Sequence, residues 1–243
     1  MARIDDLLKA AIAGLGPKPS DSAIQATKRR YSERLSECVA LAIAEELRLR
    51  GLKEARPANP GELDSSGAER RMAGGLGAKK VDVTWATEEA GLLLAISIKS
   101  INFRDGGTKN FQKNLVNRRG DMLMEAVTLH RRFPYAVLGA FFFFDKDAET
   151  DGTGRRKSTF INAHARLRLF TGRNDPAGRD EQFERFYVML LDATSTTPIR
   201  AYEVGHPNDP SSLSDILDDL LKITAERNPD FYEFDSGMLR SVK

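Results

Sequence analysis

Cysteine, histidine and net charge are all scarce in this chain of 243 residues, and each shortage excludes a class of protein. The single cysteine, Cys38, excludes an internal disulfide and a cysteine-rich zinc site. The three histidines, His130, His164 and His206, lie far apart and form none of the spaced pairs that bind catalytic zinc. One free thiol is typical of a reducing compartment, so we expect a cytoplasmic protein.

Long apolar runs are missing as well. No segment approaches the ~20 apolar residues that span a bilayer, so we expect no membrane partner. The stretch over residues 1–16 is interrupted by Asp5, Asp6 and Lys9, which favours a short amphipathic helix over a signal peptide. Apolar residues at 41% and charged residues at 30% are typical of a soluble globular domain.

The net charge is only +2, from 37 basic and 35 acidic side chains, and this sum alone speaks against nonspecific coating of nucleic acid. The charges are nevertheless segregated along the chain. Residues 99–119 contain six basic residues and one acid, residues 152–174 contain six basic residues and no acid, and residues 203–243 contain nine acids and four bases. A basic middle indicates a surface for a polyanion, with ordinary solvated faces as the alternative.

Apolar periodicity predicts an alternating order of helices and strands. A long helix over 22–50 and a helix near 118–132 flank two strands, 80–86 and 92–98, which the turn TEEAG joins as a hairpin. The near-continuous apolar run over 135–145 is typical of a strand that is covered on both faces. Further elements are predicted near 157–170 (helix), 185–192 and 199–204 (strands) and 212–227 (helix).

This order predicts one α/β domain with a mixed central β-sheet flanked by helices. Two prolines and five glycines within residues 53–79 favour a flexible loop there. We therefore expect N-terminal helices over 1–52, that loop over 53–79, a core over 80–205 and a C-terminal helical segment over 206–243.

The predicted hairpin carries the residues with the clearest chemistry. Asp82 lies in its first strand and Lys99 ends its second strand, where alternation puts Ser97 and Lys99 on one face. Alternation also turns Asp82 away from its two valine neighbours, and antiparallel pairing brings it towards Lys99. A carboxylate there binds a divalent metal, while a lysine orients or deprotonates water or stabilises charge on a phosphorane. An exposed salt bridge of little energetic value is the alternative.

Asp82 in the tripeptide VDV is followed by fourteen residues and then by Ser97-Ile98-Lys99, and this motif resembles that of the PD-(D/E)xK nucleases. These form the restriction-endonuclease-like superfamily, and residues 80–104 resemble uncharacterised bacterial proteins labelled restriction endonucleases. The resemblance covers residues 22–145. It implies a helix before the hairpin, a mixed sheet, and DNA cleavage that depends on Mg²⁺, with Mn²⁺ as a substitute.

The motif departs from the family pattern at two positions. Val81 replaces the proline, and Ser97 stands where the family has its second carboxylate. Similarity to a subgroup with Ser-x-Lys implies that an acid of the following helix takes over, and Glu125 is the candidate here. The alternative is that Glu125 is an ordinary helix-edge acid paired with Arg118 or Arg132.

The resemblance also implies a third acid from the first long helix. We favour Glu46, then Glu45, then Glu37, because Glu46 projects into the apolar stripe of that helix, where a carboxylate needs a partner. A helix that merely tolerates acids is the alternative for each. The implied catalytic and metal-binding set is therefore Asp82, Lys99, Ser97, Glu125 and Glu46, with Mg²⁺ held by Asp82, Glu125 and Glu46.

The resemblance also implies that the basic run over residues 99–119 binds DNA, since the residues after Lys99 would line a cleft for its phosphates. The predicted contacts are Asn102, Arg104, Lys109, Lys113, Arg118 and Arg119. We expect a homodimer in type II restriction or phage defence, since one site cuts one strand, with other defence-system proteins as further partners. The alternative is a catalytically silent DNA-binding or assembly subunit, for which Ser97 is the best indication.

Overall fold

A computed structural model describes residues 2–58, 70–74, 77–195 and 197–242 of the chain. Its helices are α1 (Arg3–Ala13), α2 (Gln25–Leu49), α3 (Leu115–Arg132), α4 (Thr159–Leu167) and α5 (Leu213–Arg227). Its strands are β1 (Arg70–Gly74), β2 (Gly77–Val81), β3 (Val83–Thr87), β4 (Gly91–Ile101), β5 (Val137–Asp145), β6 (Arg185–Leu191), β7 (Ile199–Glu203), β8 (Pro210–Ser211), β9 (Tyr232–Asp235) and β10 (Met238–Ser241). None of the helices in these ranges is long and apolar enough to cross a bilayer.

Six strands form one mixed sheet in the order β3-β4-β5-β6-β7-β8, which confirms the predicted α/β class. The two central pairs, β4 with β5 and β5 with β6, are parallel, while the outer pairs are antiparallel. The predicted hairpin is β3 and β4, with Val83 opposite Ile96. This topology puts the carboxyl ends of β4 and β5 at the same edge of the sheet.

The central strand β5 is buried on both faces, as its apolar run predicts. Phe141 and Phe143 pack on the side that α1, α2 and α5 cover, whereas Phe142 and Phe144 pack on the side of α3 and α4. Each of these rings is at most 1% exposed. Burial of each ring contributes about 1.5–3 kcal/mol, so both faces of the sheet need helices above them.

Three predicted boundaries are wrong. The loop over 53–79 contains β1 and β2, which pair as an antiparallel hairpin; residues 59–69, 75 and 76 lie outside the described residues. The predicted strand over 80–86 is interrupted at Asp82. The C-terminal segment ends in the hairpin of β9 and β10, because Ser236 and Gly237 adopt φ of 50° and 79° and reverse the chain.

A buried ionic cluster ties α3 to the sheet and to α5. The fully buried Glu184 accepts hydrogen bonds through Oε1 from Arg173 Nη1 at 3.0 Å and from Arg227 Nη1 at 2.7 Å. Its Oε2 accepts a 2.6 Å bond from the Leu138 amide of β5 and lies 3.3 Å from His130 Nε2 of α3. One carboxylate thus holds in place the helix that carries Glu125.

Glu184→Gln should lower the free energy of unfolding by about 3–5 kcal/mol, because two buried guanidinium groups lose their counter-charge. Denaturant unfolding measures the loss. The matched control is Glu181→Gln, whose partner Arg179 is largely exposed, and its expected cost is at most about 1 kcal/mol. Equal losses for the two variants would contradict the structural role of Glu184.

Candidate active site

Asp82 lies at a bend between β2 and β3. Val81 packs on the α3 side of the sheet and Val83 on the opposite side, so the chain changes face at Asp82. The prediction that both valines share a face is therefore wrong. The bend brings Asp82 Oδ2 within 2.7 Å of the Ile98 amide, which donates a hydrogen bond to it and orients the carboxylate. The Asp82 side chain remains 17% exposed.

Lys99 joins two carboxylates that come from different elements. Alternation along β4 is as predicted, since Ala95 packs on the α3 side and Ile96 and Ile98 pack on the other. Lys99 Nζ lies 3.4 Å from Asp82 Oδ2 and 3.4 Å from Glu125 Oε2. The predicted approach of Asp82 to Lys99 is confirmed. The alternative, an exposed salt bridge, is wrong, because the Lys99 side chain is only 17% exposed.

Glu125 lies on the buried face of α3, where Met122, Ala126 and Leu129 surround it at helical spacing. The residue is 5% exposed, and its ion-pair partner is Lys99 rather than Arg118 or Arg132. Burial raises the pKa of the Glu125 carboxyl; the Lys99 charge lowers it, and the Asp82 charge raises it further, with a raised pKa as the net result. The acid predicted from the following helix is therefore brought to the hairpin.

Lys99 stays protonated at neutral pH. Burial lowers the pKa of its ammonium group, but the charges of Glu125 and Asp82 outweigh this effect, so the pKa is raised. Of the roles that the sequence left open, this environment favours charge stabilisation and hydrogen-bond donation over removal of a proton from water.

Ser97 lies beside this cluster and is 2% exposed. Its hydroxyl is close enough to Glu125 to lower the pKa of that carboxyl, yet Ser97 Oγ and Glu125 Oε1 are both buried without a well-oriented hydrogen-bond partner among the described residues. Ser97 Oγ and Glu125 Oε1 therefore retain hydrogen-bonding capacity next to Lys99 and Asp82.

A polar cleft of about 1030 Å³ opens in front of Asp82 and Lys99 between α2 and the end of β4. Basic side chains outnumber acidic ones on its walls, so the cleft favours an anionic ligand. The basic lining residues are Lys28, Arg29, Lys80, Lys99, Arg104, Lys113 and Arg118, and the acidic ones are Glu33, Glu37, Asp82 and Asp105.

The predicted DNA contacts are only partly brought together. Arg104, Lys113 and Arg118 line the cleft, and the exposed Lys109 lies in the loop that forms its rim. Arg119 is not among the lining residues; its guanidinium lies 5.6 Å from the ring of Phe170.

Asn102 does not have the role that was predicted for it. Although it borders the cleft, it is 2% exposed, and its amide donates to Ser32 Oγ at 3.1 Å and to Ser100 Oγ at 3.0 Å. Asn102 therefore joins α2 to β4, and its amide hydrogens are engaged within the protein rather than available to a base edge.

Glu46 is not part of the cluster, and its assignment as a metal ligand is wrong. Both of its oxygens are bound by guanidinium groups, because Arg3 Nε donates to Oε2 at 2.7 Å and Arg50 Nε donates to Oε1 at 2.7 Å. Glu45 pairs with Arg48 at 2.7 Å. Glu37, the least favoured of the three acids, is the one that lines the cleft with Asp82.

The polar residues of α2 that line the cleft were not predicted from the sequence. Lys28, Ser32 and Ser36 recur every four residues and line the cleft together. Their signal was a polar stripe at helical spacing beside the apolar one, which distinguishes one face of the helix but does not tell what that face borders.

Glu125→Gln should raise the stability of the protein at neutral pH, because an amide replaces a charge whose burial is unfavourable. A carboxyl with a raised pKa in the folded state loses stability as the pH rises from about 4.5 through that pKa. The advantage of the variant should therefore be absent below pH 4.5 and should grow above it, as thermal unfolding across this range can measure. For the control Glu226→Gln, at an exposed position of α5, the plot of melting temperature against pH should run parallel to that of the wild type. A parallel plot for Glu125→Gln would contradict an unfavourable burial of the Glu125 charge.

Comparisons of the chain with protein-family models, with curated proteins and with solved structures gave no match. What the site does is therefore inferred from its own residues and their surroundings.

Proposed function

We propose that the protein is a Mg²⁺-dependent DNA endonuclease whose active site is the cluster of Asp82, Lys99 and Glu125. One observation carries this proposal. A bend, a strand end and a separate helix bring these three residues together beside a cleft in which basic side chains predominate. Two carboxylates and an ammonium group beside a basic cleft are suited to phosphodiester hydrolysis.

The donors present fit one Mg²⁺ ion. This cation needs only one or two carboxylates when water and substrate phosphate supply the remaining oxygens. Asp82 and Glu125 are those carboxylates, and the buried Ser97 Oγ, which has no well-oriented partner among the described residues, adds an acceptor beside Glu125. The described residues contain no group of three or more His, Cys, Asp or Glu side chains that could hold a metal ion, so in this proposal water and substrate oxygens would complete the coordination.

The protein's own residues position the phosphodiester and compensate its charge. Cleft cations such as Lys28 and Lys113 hold the DNA backbone through its phosphates. Lys99 donates to a non-bridging oxygen and stabilises the charge that develops on it as water attacks the phosphorus. The Ile98 amide keeps Asp82 directed at the same point. When bound, Mg²⁺ supplies a water of lowered pKa and neutralises charge at the leaving oxygen.

A protein with this site cuts one strand at a time. We therefore propose that a homodimer cuts both strands, in cytoplasmic restriction or phage defence, alone or with other defence proteins. The second candidate is a silent DNA-binding or assembly subunit. The observation that favours it is Ser97, which leaves the strand without the second carboxylate of the PD-(D/E)xK pattern.

The test compares the wild type with Lys99→Ala and Asp82→Ala on supercoiled plasmid and phage DNA in Mg²⁺, Mn²⁺ or EDTA. Cleavage should need the metal, and each variant should lose at least about 100-fold in rate, because each removes charge stabilisation in the transition state. Nicked plasmid that appears before linear plasmid would indicate one strand per event.

Lys222→Ala on α5 is the matched control, since the exposed Lys222 pairs with the exposed Glu226 of the same helix. Its rate should equal that of the wild type. Cleavage that persists in EDTA or in Lys99→Ala would contradict the proposed mechanism. Metal-independent DNA binding without any cleavage by the wild type would support the silent subunit instead.

A further inference from the structure

The segment after β4 forms a small closed loop at the rim of the cleft. The Asp105 amide donates to the Asn110 carbonyl at 2.8 Å, and the Lys109 amide donates to the Asp105 carbonyl at 2.9 Å. Beyond the loop, the amide of the buried Phe111 donates to Asp151 Oδ2 at 3.2 Å and fixes the exit of the chain. Residues 106–109 are thereby left exposed at the tip.

The carboxylate of Asp105 holds the tip in one conformation. Its Oδ1 accepts hydrogen bonds from the Gly107 amide at 3.2 Å, from the Thr108 amide at 3.0 Å and from the Thr108 hydroxyl at 3.1 Å. Its Oδ2 accepts a hydrogen bond from the ammonium group of Lys113. The loop is therefore ordered before any partner arrives, which reduces the entropy that binding has to offset.

Gly106 is not required by the fold. Its φ is not in the left-handed region, and a Cβ added to it would meet no atom within 4 Å. The position also forms part of the cleft wall. A residue without a side chain, where the protein itself leaves room for one, allows another molecule to approach the backbone closely.

Lys109 is the cation that this loop presents. It has a φ of 55°, a conformation that costs a residue with a side chain about 1 kcal/mol or more, and the backbone closure at Asp105 maintains it. No carboxylate in the described part of the chain pairs with it, in contrast to Arg104, Lys113 and Arg118, which pair with Asp147, Asp105 and Asp121.

From this geometry we infer that the loop over 105–110 enters the major groove of DNA and that Lys109 reads a guanine there. The inference rests on the proposed function and adds sequence selectivity to it. The major groove is about 12 Å wide and admits a narrow tip, and lysine donates to guanine O6 and N7. Gly106 lets the tip approach the base edges, and Asp105 keeps Lys109 in position for them.

The experiment selects bound duplexes from a randomised DNA pool with Ca²⁺ present and without Mg²⁺ or Mn²⁺, and sequences them. The wild type should enrich a motif with a guanine at a fixed position. Lys109→Asn keeps a side chain that tolerates the left-handed region but removes the charge, and should lower the preference for that guanine by roughly tenfold or more. Gly106→Ala should retain the thermal stability of the wild type and should lose preference at the same position.

Lys222→Gln, at an exposed position of α5 that is not among the residues lining the cleft, should enrich the wild-type motif. The same motif from Lys109→Asn and wild type, or no motif from the wild type, would overturn the inference. So would uniform weakening for all sequences with a reduced salt dependence, because that pattern identifies a phosphate contact. Metal-dependent plasmid cleavage by the same wild-type preparation tests the proposed function separately, so either can fail without the other.

Discussion

The burial of both faces of β5 is the constraint on which the candidate site depends. Phe141 and Phe143 need cover on one side of the sheet, and Phe142 and Phe144 need it on the other. Helices α2 and α3 therefore approach from opposite sides, and both reach the carboxyl end of β4. That end is where α3 presents Glu125 to Lys99 and where α2 forms the wall of the cleft.

The charged cluster at this end of the sheet lowers the stability of the folded protein. Lys99 contacts two carboxylates in a mostly desolvated place, and burial raises the pKa of Glu125, so ionisation of Glu125 there costs stability. A protein that only needed a stable core would place apolar residues here. Strain of this kind is common at functional sites, where stability is exchanged for a preorganised arrangement of charges. The walls of the cleft also carry more basic than acidic side chains, which favours an anionic ligand.

Much of the fold could be predicted because its elements have local signals. The alternation in β4 and the apolar run of β5 indicate which faces are buried, and helical spacing marks Glu125 as a carboxylate in an apolar stripe. The identical signal at Glu46 led to the wrong assignment. Arg50, four residues further along the chain, binds one oxygen of Glu46, and Arg3 binds the other only because α1 packs on α2. The predicted role of Asn102 was wrong for the same reason, because its contact with Ser32 joins residues far apart in sequence. The change of face at Asp82 also lacks a local signal, since a bend interrupts the strand alternation on which the prediction depended.

The proposed active site requires Lys99 and Glu125 to act together on the phosphodiester. A double-mutant cycle on the rate of Mg²⁺-dependent plasmid nicking tests it, with Lys99→Ala, Glu125→Gln and the double variant. Groups that act as a unit have strongly non-additive effects, so the account predicts that the double variant is no slower than the slower single variant. Losses that multiply, with the double variant slower by the product of the two single effects, would contradict it.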